Sequence, residues 1–226
     1  MDEKVVIAKR VALEMKSGSL VNLGIGLPTT VANYIAPGLE VYFQSENGII
    51  GLSSAPELGM VDPNLTDAGG GYVGAIPGAA SISSSVSFGL IRGGHLDVTV
   101  LGGLEVDELG HLANWTVPGK MIPGMGGAMD LVSGAKKVIV AMQHSAKGKS
   151  KILKRCTLPL TSIRRVNLIV TELAVLEPTD AGLVLKEVAP GVTVEQVIAA
   201  SEATLIIPEH VGVMAIAENE VSAAQA

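Results

Sequence analysis

The runs VTVL (Val98–Leu101), VIVAM (Val138–Met142) and the VNLIV that begins at Val166 are apolar at nearly every position. A strand with one wet face alternates polar and apolar residues, so runs of this kind belong to strands buried on both sides. Between them the apolar spacing changes to that of a helix. Over residues 3–17, Val6, Ala8, Val11, Ala12 and Met15 recur near the helical period, and Ser17-Gly18 closes the segment. SLVNLGIGLPTTVANYI reads as strand, glycine turn and helix, with Pro28 at the first helical position, where no amide donor is lost. VYFQS reads as a short strand, VNLIVTELAVL and GLVLKEV as strands, TVEQVIAAS as a helix and TLIIP as a last short strand. A hairpin is expected around Glu108-Leu109-Gly110, and a short helix after the glycine turn that ends at Gly127. Residues 53–80, rich in Gly, Pro, Ser and Asp, read as a long loop region with short elements. Strands alternating with helices give an α/β fold: an open, mostly parallel sheet covered by helices on both faces. With no internal repeat and no composition break, residues 1–214 form one domain, and the small polar segment 215–226 is expected to fray.

Composition narrows the function. A net charge of −6 leaves no broad basic field, which excludes nucleic acid as a partner. No uninterrupted apolar run reaches the roughly 18 residues of a membrane span, so no membrane partner is expected either. The start MDEKVVIAKR is unlike a secretory signal, and a single Cys156 fits a reducing compartment; both point to the cytoplasm. Four scattered histidines and one cysteine have no ligand spacing, so no metal site is expected. His95 and His144 read as structural, Cys156 as a packed thiol and Trp115 as a packing anchor. Charged residues are only 17% of the chain, so part of its apolar excess is expected in a subunit interface.

One carboxylate is out of place. In VYFQSENGIIGL, Glu46 stands between two apolar runs, at or just past the end of a strand, with Asn47-Gly48 supplying a sharp turn. It is either the solvated end of a hairpin or a group held there to react, because a buried carboxylate persists where it is paired or used. In open α/β sheets ligands bind beyond the carboxyl ends of the strands. Gly24-Ile25-Gly26-Leu27-Pro28 and Gly124-Met125-Gly126-Gly127 are expected to gather there with Glu46, as plain turns or as loops whose amides face an oxyanion or phosphate. GIGLP is not the dinucleotide fingerprint, since Pro28 and Thr29 break its later spacing. KGKSKILKR, from Lys147 to Arg155, reads as a solvated loop and helix start, or as a contact for phosphates.

In order along the chain, GIGLP, SENG, LIRGGH, LANWTVPGKM, GMGGAMDL, CTLPLT and TELAV resemble the β-type chain of the 3-oxoacid CoA-transferases of family I, over about residues 4–210. The resemblance implies that Glu46 is the catalytic nucleophile, forming an acyl-glutamyl anhydride and then a glutamyl-CoA thioester in a ping-pong cycle. It implies that an amide of the GMGGAMDL turn, Gly127 first and Gly126 next, stabilises the oxyanion, with Gly24, Gly26, Asn47 and Gly126 contacting coenzyme A. Coenzyme A is then a substrate, with no permanently bound cofactor. The family also implies a separate α-type partner chain in an α2β2 assembly, because Glu46 lies too near the start for a fused upstream half. Acetoacetate, butyrate and acetate are the foremost acids, with 3-oxoadipate and succinate as others. The competing readings are a sugar-phosphate isomerase or deaminase with Glu46 as general base, and a non-catalytic acyl-CoA-binding module.

Overall fold

The computed structural model describes residues 2–54, 56–57, 59–119 and 124–217. The elements of the first half are α1 (Glu3–Ala12), β1 (Ser19–Leu23), a 3-10 helix (Leu27–Tyr34), β2 (Val41–Ser45), β3 (Ile49–Ser53), β4 (Gly74–Ser81), α2 (Ser84–Arg92), β5 (Val98–Leu101), β6 (Glu105–Asp107), β7 (Leu112–Ala113), α3 (Ala128–Gly134) and β8 (Lys137–Ala141). The second half adds β9 (Ser145–Ala146), β10 (Lys149–Ser150), β11 (Ile152–Leu153), β12 (Leu168–Val170), β13 (Ala174–Thr179), β14 (Gly182–Val188), α4 (Val194–Ala200), β15 (Leu205–Ile206) and β16 (Gly212–Val213).

The main sheet runs β15-β14-β13-β12-β8-β5-β1-β2-β3-β4, with β16 also paired to β14. Its middle, β12-β8-β5-β1-β2, is parallel throughout. Both flanks turn antiparallel, β2-β3-β4 on one side and β12-β13-β14 on the other. For β3, β13 and β14 the connections decide this: the turns after β2, β12 and β13 are too short for a crossover and can only return the chain antiparallel.

Alternate residues of the central strands feed two cores. Val98, Val100, Ile139 and Ala141 pack with Ile7, Ala8 and Val11 of α1 and Val31 of the 3-10 helix. Leu101, Val138 and Val140 pack on the opposite face with Ile91 of α2, Leu131 and Val132 of α3, and Val197 of α4. The sheet is therefore covered on both faces, as the doubly apolar runs require. Among the described residues no helix is long and apolar enough to cross a membrane.

Several boundaries differ from the sequence reading. The first helix ends at Ala12, although Met15 of the following turn still packs into the core. The region 53–80 contains the eight-residue strand β4, whose GAIPGAAS carries little β propensity and a proline. It stands at the sheet edge, where a missing N–H removes no ladder bond. VNLIVTELAVL is two strands, broken where Thr171 Oγ1 accepts from the backbone amides of Leu173 and Ala174. KGKSKILKR starts no helix. Lys147 (φ 51°) and Gly148 (φ 75°) form the turn of the β9-β10 hairpin, and the buried β11 follows. Of the expected frayed tail, residues 218–226 lie outside the described residues.

Candidate active site

Glu46 is the first residue beyond β2, at the carboxyl end of the parallel block. The turn after it leaves no freedom. Gly48 has φ 125°, its N–H donates to Ser45 O at 3.0 Å, and its carbonyl accepts from Ile82 N at 2.8 Å. A Cβ on Gly48 would lie 2.1 Å from Ile82 O, so only glycine fits there. Asn47 is exposed and donates its side-chain amide to Thr66 O at 2.7 Å. Ser45 Oγ accepts from Ala68 N at 2.9 Å, so the loop beyond β3 is tied to the same turn. The carboxylate itself is half-buried, and its Oε2 accepts from Asn22 Nδ2 at 3.1 Å.

The other oxygen faces the second glycine turn. Gly127 caps α3 with φ −83°, after Gly124 (φ 109°) and Gly126 (φ 56°). A Cβ on Gly127 would stand 3.0 Å from Glu46 Cγ and 3.2 Å from Oε1. That approach depends on α3 being held in place. Arg164 donates to Val132 O, Ser133 O and Ala135 O at the end of the helix, and Arg92 pairs with Asp130 at 2.6 Å. Gly24 N donates to Val100 O at 2.8 Å, and a Cβ there would lie 3.1 Å from the same oxygen, so Gly24 ends β1 tightly against β5. Gly26, with φ 88°, caps the 3-10 helix and has open space where its Cβ would be. The Glu46 side chain thus faces Gly127 where any larger residue would crowd it, Gly126 adjoins that position, Gly24 and Gly26 follow the neighbouring strand, and Asn47 is turned toward Thr66.

Comparison with known proteins bears on this arrangement. A family model described as Coenzyme A transferase matches residues 4–200. The chain belongs to that family. The beta subunit of the acetate CoA-transferase of Haemophilus influenzae is 53% identical to this CoA-transferase chain over 220 residues, covering 96% of it and 98% of the relative. The corresponding chain of the succinyl-CoA:3-ketoacid coenzyme A transferase of Helicobacter pylori is 51% identical over 198 residues, covering 87% of this chain and 95% of the relative. Among solved structures, an acyl-CoA transferase of Escherichia coli O157:H7 superposes with a TM-score of 0.76 at 23% identity. That alignment covers 95% of this chain but only 43% of the longer solved one, and it supports the fold.

Sequence reading missed four polar residues of this CoA-transferase beneath Glu46. Asn22, Ser87 and Thr99 are fully buried and Gln44 nearly so. Asn22 Nδ2 also reaches Gln44 O at 3.2 Å and Gln44 Oε1 at 3.0 Å, and Gln44 Nε2 donates to Ser87 Oγ at 2.8 Å. A signal existed: Asn22 in SLVNL and Gln44 in VYFQS are lone polar residues in apolar strands. Each sits two residues before a residue picked out for the site, hence on its face of the sheet.

The residues set aside from chemistry have other partners. His144 is buried, with Nδ1 3.0 Å from Thr171 Oγ1 and Nε2 2.9 Å from Ser201 Oγ; burial pushes its pKa down to about 4, so it is neutral. Burial, with Asp107 and Glu105 nearby, pushes the Cys156 thiol up to about 12, and its Sγ packs on His111 O at 3.6 Å. Trp115 Nε1 donates to Leu160 O at 3.4 Å. In the basic run, Lys151 folds inward onto Gly103 O at 2.7 Å, with burial lowering its pKa, while Lys147, Lys149, Lys154 and Arg155 are exposed. Among the described residues no three His, Cys, Asp or Glu side chains gather in a way that could hold a metal ion. A cleft of about 560 Å³ is lined by Thr30, Asn33, Phe43, Gln44, Ser45 and Tyr72, and Glu46 is not among its lining residues.

Proposed function

We propose that this chain is the β-type subunit of a CoA-transferase that moves CoA between a short-chain or 3-oxo acyl-CoA and a free carboxylic acid, through a glutamyl-CoA thioester on Glu46. The observation that carries the reading is the placement of one carboxylate. Its Oε2 is held by Asn22, and its Oε1 lies 3.2 Å from where a Cβ on Gly127 would stand. Oε1 is then the attacking atom. It adds to the carbonyl carbon of the donor thioester, the C–S bond breaks, and CoA leaves as thiolate from an acyl-glutamyl anhydride. The thiolate attacks Glu46 Cδ, the anhydride C–O bond breaks, and the donor acid departs as carboxylate. An incoming carboxylate attacks the glutamyl thioester, and the same two steps run in reverse. No proton is transferred, which suits a site whose neighbours are amides and glycines. Each addition creates an oxyanion, and we assign a backbone amide of the Gly126-Gly127 turn as a donor to one, a contact whose loss typically costs about 3 kcal/mol of barrier. Gly24, Gly26, Gly126 and Asn47 are assigned to coenzyme A, which acts as a substrate.

The Haemophilus influenzae relative is named as a beta subunit, and the Helicobacter pylori relative is likewise named as one subunit of its enzyme; both names support a separate α-type partner. We assign an α2β2 assembly in the cytoplasm, inactive without that partner. The same names favour acetate and 3-oxo acids such as acetoacetate over longer acids. The test is an intact mass of this chain, co-purified with its α partner, mixed with acetoacetyl-CoA and quenched in acid. A gain of one CoA minus one water on the SENG peptide, lost in Glu46→Ala, is expected. No adduct with any of several acyl-CoAs would remove Glu46 from the chemistry.

A further inference from the structure

Beneath Glu46, Thr99, Asn22, Gln44 and Ser87 form a polar seam inside an otherwise apolar layer, with exposures of 0%, 0%, 3% and 0%. Burying a polar side chain is unfavourable unless it is hydrogen-bonded, so each group depends on the next. Thr99 Oγ1 donates to Asn22 Oδ1 at 3.5 Å. Asn22 Nδ2 donates to Gln44 Oε1 at 3.0 Å and to Glu46 Oε2 at 3.1 Å. Gln44 Nε2 donates to Ser87 Oγ at 2.8 Å, and there the seam passes from the sheet into helix α2.

The direction of these bonds matters. A carboxylate only accepts, so Asn22 serves Glu46 only while its NH2 end faces it. The main-chain carbonyl of Gln44, 3.2 Å from Asn22 Nδ2, favours that orientation, and the Gln44 side chain adds its own carbonyl while its NH2 has Ser87 as acceptor. Without the Ser87 hydroxyl, Gln44 is left with an orphaned buried N–H. A buried carbonyl tolerates an absent partner better than an N–H does, so the amide of Gln44 turns over. Its NH2 then faces the NH2 of Asn22, which is pushed off the Glu46 carboxylate although Gln44 O and Thr99 still favour its present orientation.

We infer that Ser87 and Gln44 are positioning residues that fix Asn22, and through it the orientation of the Glu46 carboxylate, from a helix that does not touch the reacting atoms. The inference rests on the reading of Glu46 as nucleophile. The measurement is the single-turnover rate of CoA adduct formation in the complex with the α partner, with a thermal melt of each variant. Ser87→Ala is expected to slow adduct formation about tenfold at unchanged KM for acyl-CoA, while Ser87→Thr, which keeps the hydroxyl, stays within about twofold of wild type. Gln44→Met, close in volume and outside α2, is expected to slow it too. The double variant should be no slower than Gln44→Met alone, because the two act through one path. Wild-type rates in both Ser87→Ala and Gln44→Met, or additive slowing in the double variant, would overturn the inference. So would equal slowing in Ser87→Ala and Ser87→Thr that merely follows a lower melting temperature. A wild-type complex that forms no adduct would instead overturn the Glu46 reading, and this inference with it.

Discussion

Replacing Gly127 by alanine sets a methyl group against Glu46. The added Cβ would lie 3.0 Å from Glu46 Cγ, 3.2 Å from Oε1 and 3.3 Å from Cδ. Carbon atoms settle about 3.5–4.0 Å apart, so the side chain must retreat by roughly 0.5–1 Å. It cannot follow the methyl freely, because Asn22 holds Oε2 from the other side at 3.1 Å. A misplacement of about 1 Å at a reacting group costs about a hundredfold in rate. The backbone itself is unaffected: φ is −83° at Gly127, within reach of any residue. Gly127→Ala is therefore expected to lower kcat by about 10- to 100-fold while the melting temperature stays within a few degrees of wild type. Transfer of CoA from acetoacetyl-CoA to acetate by the complex with the α partner, followed by loss of the acetoacetyl thioester, measures it. Turnover within about threefold of wild type would show that Glu46 and Gly127 are not in reactive contact.

Two further outcomes concern stability. His144 is held neutral, with its pKa pushed by burial from 6.5 to about 4, so the unfolded chain binds more protons between these values. Its contribution is complete above pH 6.5 and falls as pH drops toward 4, by about 2 kcal/mol between pH 7 and pH 5. His144→Gln should flatten that acid limb in urea titrations at the two pH values, and an unchanged limb would refute the assignment. Gly89 lies exposed within α2, and nothing stands within 4 Å of an added Cβ. Gly89→Ala should therefore stabilise the protein by about 0.5–1 kcal/mol, read as a higher melting temperature with unchanged turnover.

The doubly apolar runs at Val98–Leu101 and Val138–Met142 determined a parallel centre, because such strands are stable only with both faces covered. SENG and the glycine turns marked Glu46, Gly48 and Gly127, since a carboxylate between apolar runs and glycines ahead of a helix are local departures from pattern. Strand β4 was illegible, because GAIPGAAS owes its strand state to pairing with β3 at an edge and not to its own propensities. The approach of Gly127 to Glu46 was equally beyond a linear reading. It follows from how Arg164, Arg92 and the packed pair α2 and α3 set one helix end against the end of β2. So did the seam from Thr99 through Asn22 and Gln44 to Ser87: strand register puts Asn22 beside Gln44, and only helix docking adds Ser87. The sequence by itself determined the fold class and singled out Glu46 and the glycine turns as candidates, because those depend on residue type and local spacing. The tertiary structure alone decided which oxygen of Glu46 accepts from Asn22 and which faces Gly127, because these partners meet only after folding.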